Sequence, residues 1–287
     1  MTEENIFERL TIEYYQLTAA EKRIADSIFS HGPDAQNMSI SQLAEDCGVA
    51  EATLSRFCRR LGYANYGEFR RAIAATVAAD RTAGAAAPLH GAVNSEEPVR
   101  DMAAKLAAAD ISAIEETKTL LQEETIQAAA DLLAAANTVL CMGQGGSMVV
   151  AQEAANIFGT VFPNFFPVSD NHTQVIRAAH LTERDVILYC SYSGATNDLM
   201  DVLRTARQRG AKVILLTRYP SSPGAAEADI VLRCGTTESP LQMGSVPARI
   251  AQIFLLDVLF TELCRRDLED FRQRRARVAD ALAEKHI

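Results

Sequence analysis

The stretch CSYSGATND, residues 190–198, places hydroxyl and glycine residues directly after the apolar run DVILYC. Hydroxyl groups and the backbone N–H groups of a glycine-containing loop can surround an anion, and the N-terminus of a following helix adds partial positive charge. The same residue types also suit a tight turn that ends in a helix N-cap. The stretch therefore predicts either a phosphate-binding loop or a plain turn. Other features of the sequence are needed to distinguish the two.

A second segment, GQGGS at 143–147, lies in the same way between an apolar run and a helical pattern. Both segments follow predicted parallel strands, and ligands of parallel sheets bind at the carboxyl ends of the strands. Neither segment has GxGxxG or GxxxxGK[ST] spacing, so neither a dinucleotide site nor a P-loop is indicated. We predict a cradle of hydroxyl and amide groups, without a dedicated lysine, for the monophosphate of a small metabolite. Its candidate residues are Gly145, Gly146, Ser147, Ser191, Ser193, Gly194 and Thr196.

Short apolar strands alternate with helices in the second half of the chain. Strands that are apolar throughout indicate a parallel sheet with helices on both faces. The apolar helix at 246–266 is expected either to pack on this sheet or to form an oligomer interface, and the charged tail after it is expected to be a solvated or interface helix. Strands are predicted at 138–143, 164–169, 185–191, 211–218 and 228–235, and helices at 147–159 and 196–210.

The first 80 residues have a helical pattern. Thr18 and Glu21 have the spacing of a capping box. A helix at 39–46, a turn at 47–49 and a helix at 51–61 have helix-turn-helix spacing. Five arginines and one glutamate between residues 56 and 71 give a local charge of +4, within a segment that carries twelve acidic and eight basic residues. Positive charge is therefore concentrated where DNA phosphates would be contacted, beside Thr53, Ser55, Arg56, Arg59 and Arg60.

Composition excludes several classes of protein. The net charge of −9 argues against a basic protein that coats nucleic acid. No apolar run is long enough to span a bilayer and the N-terminus resembles no signal peptide, so we expect a cytoplasmic protein without a membrane partner. The six cysteines are scattered without a CxxC pair. They are expected to be reduced core residues rather than metal ligands, and no cofactor is expected.

The alanine-rich segment 74–98 predicts a linker.

The segments GQGGS, SYSGAT and GAKVILLTRYPSSPGAAEADIVL resemble the sugar isomerase domain, called SIS, over about residues 125–265. The resemblance implies a five-stranded parallel sheet in a three-layer αβα sandwich that binds phosphosugars. It places the hydroxyls of Ser147, Ser191, Ser193 and Thr196 on the phosphate. It also implies sugar contacts for His172 and Glu238. An alternative for His172 is a loop histidine that caps the following helix.

The segment LAEDCGVAEATLSRFCRRLGYANYGEFR is similar to the N-terminal domain of the RpiR/MurR-type family of bacterial regulators, which joins this domain to a SIS domain. The similarity implies that Thr53, Ser55, Arg56, Arg59 and Arg60 face DNA. Ala50 stands where the family usually has a serine N-cap, which weakens the start of the second helix. We therefore predict an all-α helix-turn-helix domain at 1–77, a linker and connecting helix at 78–124, and an α/β SIS domain with a C-terminal helix at 125–287.

The predicted function is that of a DNA-binding transcriptional regulator of sugar catabolism, without enzyme activity, whose SIS domain senses a sugar-phosphate effector. Its partners would be a double-stranded DNA operator, the effector, and further copies of the chain in a homodimer or homotetramer formed through the SIS domain. One alternative is a phosphosugar isomerase with Glu238 or His172 as the base, which leaves the helix-turn-helix without a role. Another is a SIS domain fused to a module that does not bind DNA, which leaves the arginine cluster unexplained.

Overall fold

A computed structural model of the chain describes residues 6–82, 97–235 and 246–283. The chain divides into two compact units, with the division between Met102 and Ala103. Each unit has a hydrophobic core of its own. The division lies inside a helix, and the domain boundaries expected at 77/78 and 124/125 stay predictions. Within the described residues, no helix combines the length and the apolar character needed to cross a bilayer.

The first unit is helical, and its helices start where the sequence provides caps. The capping box of Thr18 and Glu21 is confirmed, and Ser39 and Gln42 form a second one. These caps satisfy backbone N–H groups that have no partner within the helix. The elements are α1 (Ile6–Glu13), a 3-10 turn (Tyr14–Gln16), α2 (Ala19–His31), a 3-10 turn (Gly32–Asn37), α3 (Ile40–Asp46), α4 (Glu51–Arg60) and α5 (Tyr66–Thr82).

Buried contacts hold α4 and α5 in place and explain why α5 is longer than its alanine-rich sequence predicts. In α4, Leu54 and Phe57 are fully buried, and the Phe57 ring meets the ring of Phe69 in α5 edge-on at 6.2 Å. The linker predicted at 74–98 begins too early, because α5 continues to Thr82. Ile73 and Val77 lie in the core of this unit and hold that part of α5 in place. The rest of the predicted linker, 83–96, lies outside the described residues.

The second unit contains the predicted five-stranded parallel sheet, in the order β2-β1-β3-β4-β5. The edge strand β2 is shorter than predicted and ends at Pro167, which has no N–H group to donate to a neighbouring strand. The strands are β1 (Thr138–Gly143), β2 (Phe165–Pro167), β3 (Asp185–Cys190), β4 (Lys212–Thr217) and β5 (Ile230–Arg233). The helices are α6 (Val99–Leu120), α7 (Glu123–Ala135), α8 (Gly146–Gly159), α9 (Asn171–Ala179), α10 (Asn197–Arg209), α11 (Pro223–Glu227), α12 (Val246–Arg265) and α13 (Leu268–Ala283).

Helices cover both faces of the sheet, which confirms the three-layer αβα sandwich. Residues of α7, α8 and α12 pack on one face, and residues of α9 and α10 pack on the other. The apolar character of α12 follows from this packing, since Ala251, Leu255 and Leu259 are buried. A role for α12 in an oligomer interface stays a prediction. The charged helix α13 has no buried residue.

Candidate functional sites

The two loops predicted to form a cradle lie side by side in the structure. The chain leaves β1 for β2 on one side and later returns to β3 on the other side. Gly143, the last residue of β1, is paired in register with Cys190, the last residue of β3. The segments 143–147 and 191–196 therefore begin next to each other at the carboxyl edge of the sheet. Such a reversal of strand order creates the crevice in which open parallel sheets bind ligands.

The two serines of the loop after β3 are nearly buried and help to shape the loop. Ser191 and Ser193 are 5% and 7% exposed. The Ser191 Oγ accepts a hydrogen bond from the N–H of Gly194 at 3.2 Å, and the Ser193 Oγ accepts one from the N–H of Ala195 at 3.4 Å. A hydroxyl that accepts a bond still has its own O–H to donate. The turn interpretation and the anion-binding interpretation are therefore compatible in one loop.

Gly194 is the residue that lets this loop fold against its neighbours. Its φ is +62°, and a Cβ at this position would lie 2.2 Å from the Oγ of Ser222 and 3.0 Å from the Oγ1 of Thr217. The carbonyl of Gly194 accepts a hydrogen bond from the N–H of Gly224 at 2.8 Å. The end of β4 and the start of α11 thus hold the loop from outside, and only glycine fits.

A helix begins directly after each loop. Thr196 is the N-cap of α10, and its side chain accepts a hydrogen bond from the N–H of Leu199 at 3.4 Å. Gly145 is the N-cap of α8, and Ser147 is half-buried in the first turn of that helix. The first N–H groups of a helix have no partner within it and carry partial positive charge. Two helix N-termini thus face the same edge of the sheet.

Sequence analysis missed Gln174, a fully buried side chain in α9 that fixes this edge. Its Nε2 donates to the carbonyls of Gly143 at 3.0 Å and Val168 at 2.8 Å. Its Oε1 accepts a hydrogen bond from the Nε2 of Gln144 at 3.1 Å. One amide therefore joins the ends of β1 and β2 to the loop after β1. The sequence does contain a signal for Gln174: it lies four residues before Ala178, and residues four apart lie on the same face of a helix. Both side chains are fully buried.

Two residues were expected to contact the sugar. His172 is exposed in the first turn of α9, and its role in ligand binding stays a prediction. The cap of α9 is Asp170, whose Oδ1 accepts a hydrogen bond from the N–H of Thr173 at 2.7 Å, so His172 is not needed as a cap. Hydrogen bonds from the backbone and side chain of Thr173 hold the pKa of the Asp170 carboxyl below its usual value. Glu238 lies outside the described residues.

The polar face of α4 is open to solvent. Arg56 and Arg59 are exposed, and Thr53 and Ser55 are half-exposed. The Nη2 of Arg56 donates to the Oγ1 of Thr53 at 3.2 Å. The predicted DNA-facing residues therefore lie on one surface, opposite the buried face of the helix.

Arg60 is on the same surface, but it has partners inside its own unit. Its Nη1 pairs with Glu21 at 2.6 Å, and its Nη2 donates to the carbonyl of Gln16 at 3.0 Å. At the other end of α4, Ala50 is the N-cap and provides no side-chain bond, as expected from the missing serine. Glu51 in the first turn accepts a hydrogen bond from the hydroxyl of Ser41 and suits the positive end of the helix dipole.

All six cysteines are unpaired and buried. Burial raises the pKa of Cys58 to about 12 and that of Cys264 to about 11, so both thiols stay protonated at neutral pH. The described residues include no cluster of histidine, cysteine, aspartate and glutamate side chains that could hold a metal ion. The thiols behave as small core residues.

Comparison with known proteins assigns both units. The model for the helix-turn-helix domain of the rpiR family matches residues 4–80, and the model for the SIS domain matches residues 132–262. An uncharacterized HTH-type transcriptional regulator from Caldanaerobacter subterraneus is 33% identical over 88% of both chains. The regulator HexR of Escherichia coli is 26% identical over 98% of this chain and 95% of its own. The chain therefore belongs to the RpiR family of transcriptional regulators, with an N-terminal DNA-binding helix-turn-helix and a C-terminal SIS domain.

Solved structures show the same fold. The Vibrio vulnificus NanR protein complexed with ManNAc-6P has a TM-score of 0.64 at 21% identity, over 98% of this chain and 99% of its own. The sugar isomerase domain of the RpiR transcription factor from Sphaerobacter thermophilus has a TM-score of 0.56 at 24% identity, over 63% of this chain. The relatives named as HTH-type transcriptional regulators align with most of this chain, and an enzyme role is not indicated for it.

Proposed function

We propose that the SIS unit binds a sugar phosphate between the two loops and that this binding changes the affinity of α4 for DNA. The observation that carries the proposal is the register of Gly143 with Cys190, which brings the two loops together at the carboxyl edge. The neighbouring structure of NanR with ManNAc-6P supports this class of ligand. The regulated genes would then be those of sugar catabolism.

In this proposal, the phosphate is bound by hydroxyl and backbone groups of the two loops. The O–H groups of Ser147, Ser191, Ser193 and Thr196 donate to its oxygens, and Gly145, Gly146 and Gly194 let the backbone approach it. The starts of α8 and α10 add the partial charge of two helix dipoles. His172 and Glu238 are the proposed contacts of the sugar hydroxyls.

The DNA-binding surface would be the polar face of α4 in the major groove. Thr53, Ser55, Arg56 and Arg59 are placed to contact bases and phosphates, and Arg60 would share or leave Glu21 to reach a phosphate. A DNA operator with two half-sites needs two recognition helices. We propose that a homodimer or homotetramer formed through the SIS unit supplies them. Light scattering of the purified protein measures this state directly.

Thermal melting of the full chain tests the effector. The panel contains hexose, pentose and amino-sugar monophosphates, ManNAc-6P among them, with the free sugars and inorganic phosphate as controls. A ligand that binds only the native state stabilises it by about 2.7 kcal/mol at one hundred times its Kd. We expect one phosphosugar to raise the Tm and its free sugar to leave it unchanged. An equal shift with the free sugar, or no shift across the panel, contradicts the proposal.

The double variant Ser191→Ala/Ser193→Ala separates the two activities. We expect it to lose the shift in Tm and to keep its affinity for duplex DNA selected with the wild-type protein. The matched control is Ser221→Ala, since Ser221 is exposed in the loop after β4. If the double variant also loses DNA binding while its Tm without ligand is unchanged, the loop does not act as an effector site.

A further inference from the structure

Arg218 is a basic residue fixed to the proposed phosphate loop. It follows β4 directly, and its N–H donates to the carbonyl of Tyr192 at 3.1 Å. The Oγ1 of Thr217 donates to the same carbonyl at 3.0 Å. The backbone of Arg218 is therefore held against Tyr192, the second residue of the 191–196 loop, at the carboxyl edge of the sheet.

The side chain of Arg218 pairs with the connecting helix α6. Its Nη2 lies 3.0 Å from the Oε1 of Glu116, and the two side chains are 12% and 36% exposed. The adjacent residue Thr117 fixes this part of α6, because its Oγ1 accepts a buried hydrogen bond from the N–H of Gly235 at 2.9 Å. A Cβ at Gly235 would lie 2.7 Å from the Thr117 nitrogen. The ion pair thus joins a closely packed helix to the edge where the ligand would bind.

The two partners differ in what they lose if the pair opens. An arginine that is mostly buried needs a partner at all times, because an unpaired buried charge is costly. A carboxylate that is one-third exposed can be solvated instead. A phosphate group carries about −1.5 to −2 charge and matches the planar guanidinium better than a single carboxylate oxygen does. It would also repel Glu116.

We propose that Arg218 is the cation of the effector site and that the bound phosphosugar takes it over from Glu116. This inference rests on the proposed function and adds a charged residue to a cradle that sequence analysis described without one. Release of Glu116 loosens α6, which contains the division between the two units at Met102 and Ala103. The exchange of partners at Arg218 is thereby the step that connects effector binding to the DNA-binding unit.

Two opposing variants of the full chain test the exchange, with the phosphosugar that gives the largest Tm shift in the wild type as the probe. Arg218→Gln removes the cation, and we expect it to weaken phosphosugar binding about ten- to hundredfold, the range for a lost bond to a charged group. Glu116→Gln removes the carboxylate that competes for the cation, and we expect it to tighten phosphosugar binding about three- to tenfold. Without effector, Glu116→Gln should bind DNA as the effector-bound wild type does. The control is Arg207→Gln, which breaks a pair with Glu227 in the same unit.

Each result decides the inference. If Arg218→Gln binds the phosphosugar as the wild type does, or if Glu116→Gln weakens binding as much as Arg218→Gln, the pair is only structural. Should Arg218→Gln fail to fold, Arg218→Lys keeps the charge without the planar group and is expected to weaken binding by a smaller factor. A wild type that binds no member of the panel overturns the proposed function and this inference with it, whereas failure of this inference alone leaves wild-type binding intact.

Discussion

The polar side chains of α4 and those of the 191–196 loop are held in opposite ways. Arg56 and Arg59 extend into solvent from a helix whose other face is packed. Ser191 and Ser193 are nearly buried, and each is bonded to the backbone of its own loop. A surface that contacts a long polyanion depends on charge and on side chains with reach. A site for one small anion depends on fixed backbone geometry, so that changes there affect both stability and binding.

Two glycines with the same φ test this contrast and give the largest expected effect. Gly194 has a φ of +62° and would crowd Ser222 if it had a Cβ, whereas Gly48 in the helix-turn-helix has a φ of +61° and nothing within 4 Å. We expect Gly194→Ala to lower the free energy of unfolding by about 3–4 kcal/mol, from backbone strain and overpacking together. Gly48→Ala should cost about 1–2 kcal/mol, from strain alone. Urea unfolding followed by circular dichroism measures both, and equal losses would contradict the close packing of the loop.

Gln174 tests whether the edge of the sheet is held by a single amide. In Gln174→Leu, the carbonyls of Gly143 and Val168 lose a buried donor. We expect a loss of about 2–3 kcal/mol in the free energy of unfolding, since leaving buried polar groups unsatisfied is costly. The control Gln144→Leu removes the hydrogen bond from a half-buried side chain to the Oε1 of Gln174 and should cost less than 1.5 kcal/mol. Similar losses in the two variants would mean that Gln174 has no special role.

On α4, a change at an exposed arginine should weaken DNA binding without unfolding the unit. We expect Arg59→Ala to reduce affinity for selected duplex DNA about tenfold and to lower the slope of log affinity against log salt by about 1. Its Tm should equal that of the wild type. Fluorescence anisotropy at several salt concentrations gives both quantities. An unchanged salt slope would mean that Arg59 does not neutralise a phosphate.

Arg60→Ala should differ from Arg59→Ala, because it is expected to affect stability as well as DNA binding. Arg60 pairs with Glu21, the capping-box residue of α2, so its removal affects the fold as well. We expect Arg60→Ala to lower the free energy of unfolding by about 0.5–1 kcal/mol, in the range for partly exposed ion pairs. If Arg60→Ala weakens DNA binding as much as Arg59→Ala and leaves stability unchanged, the contact with Glu21 contributes nothing.

Local patterns predicted most of the second unit, and long-range contacts explain what they missed. The apolar run at 138–143 coincides with β1, and the helix predicted at 196–210 does end at Gly210, which has a left-handed conformation. Helix α7 was not predicted, although its buried residues Ile126, Ala129, Ala130 and Leu133 recur at helical spacing. The roles of Gln174, of Arg60 and of the pair of Arg218 with Glu116 depend on partners that lie 31, 39 and about one hundred residues away. Residue type and local spacing do not reveal contacts between residues that lie so far apart in the chain.

The smallest predicted effect concerns the start of the recognition helix. Ala50 is the N-cap of α4 and has no side chain that can accept a hydrogen bond from the first turn. Ala50→Ser supplies that acceptor, and we expect it to raise the free energy of unfolding by about 0.5–1 kcal/mol. Because a better-ordered α4 loses less freedom on binding, affinity for DNA should rise by a small factor. Hydrogen exchange in the first turn of α4 and the DNA titration measure both effects. The control is Ala52→Ser, two residues further along, inside the first turn. A gain in stability without slower exchange in α4 would place the effect of the serine outside this helix.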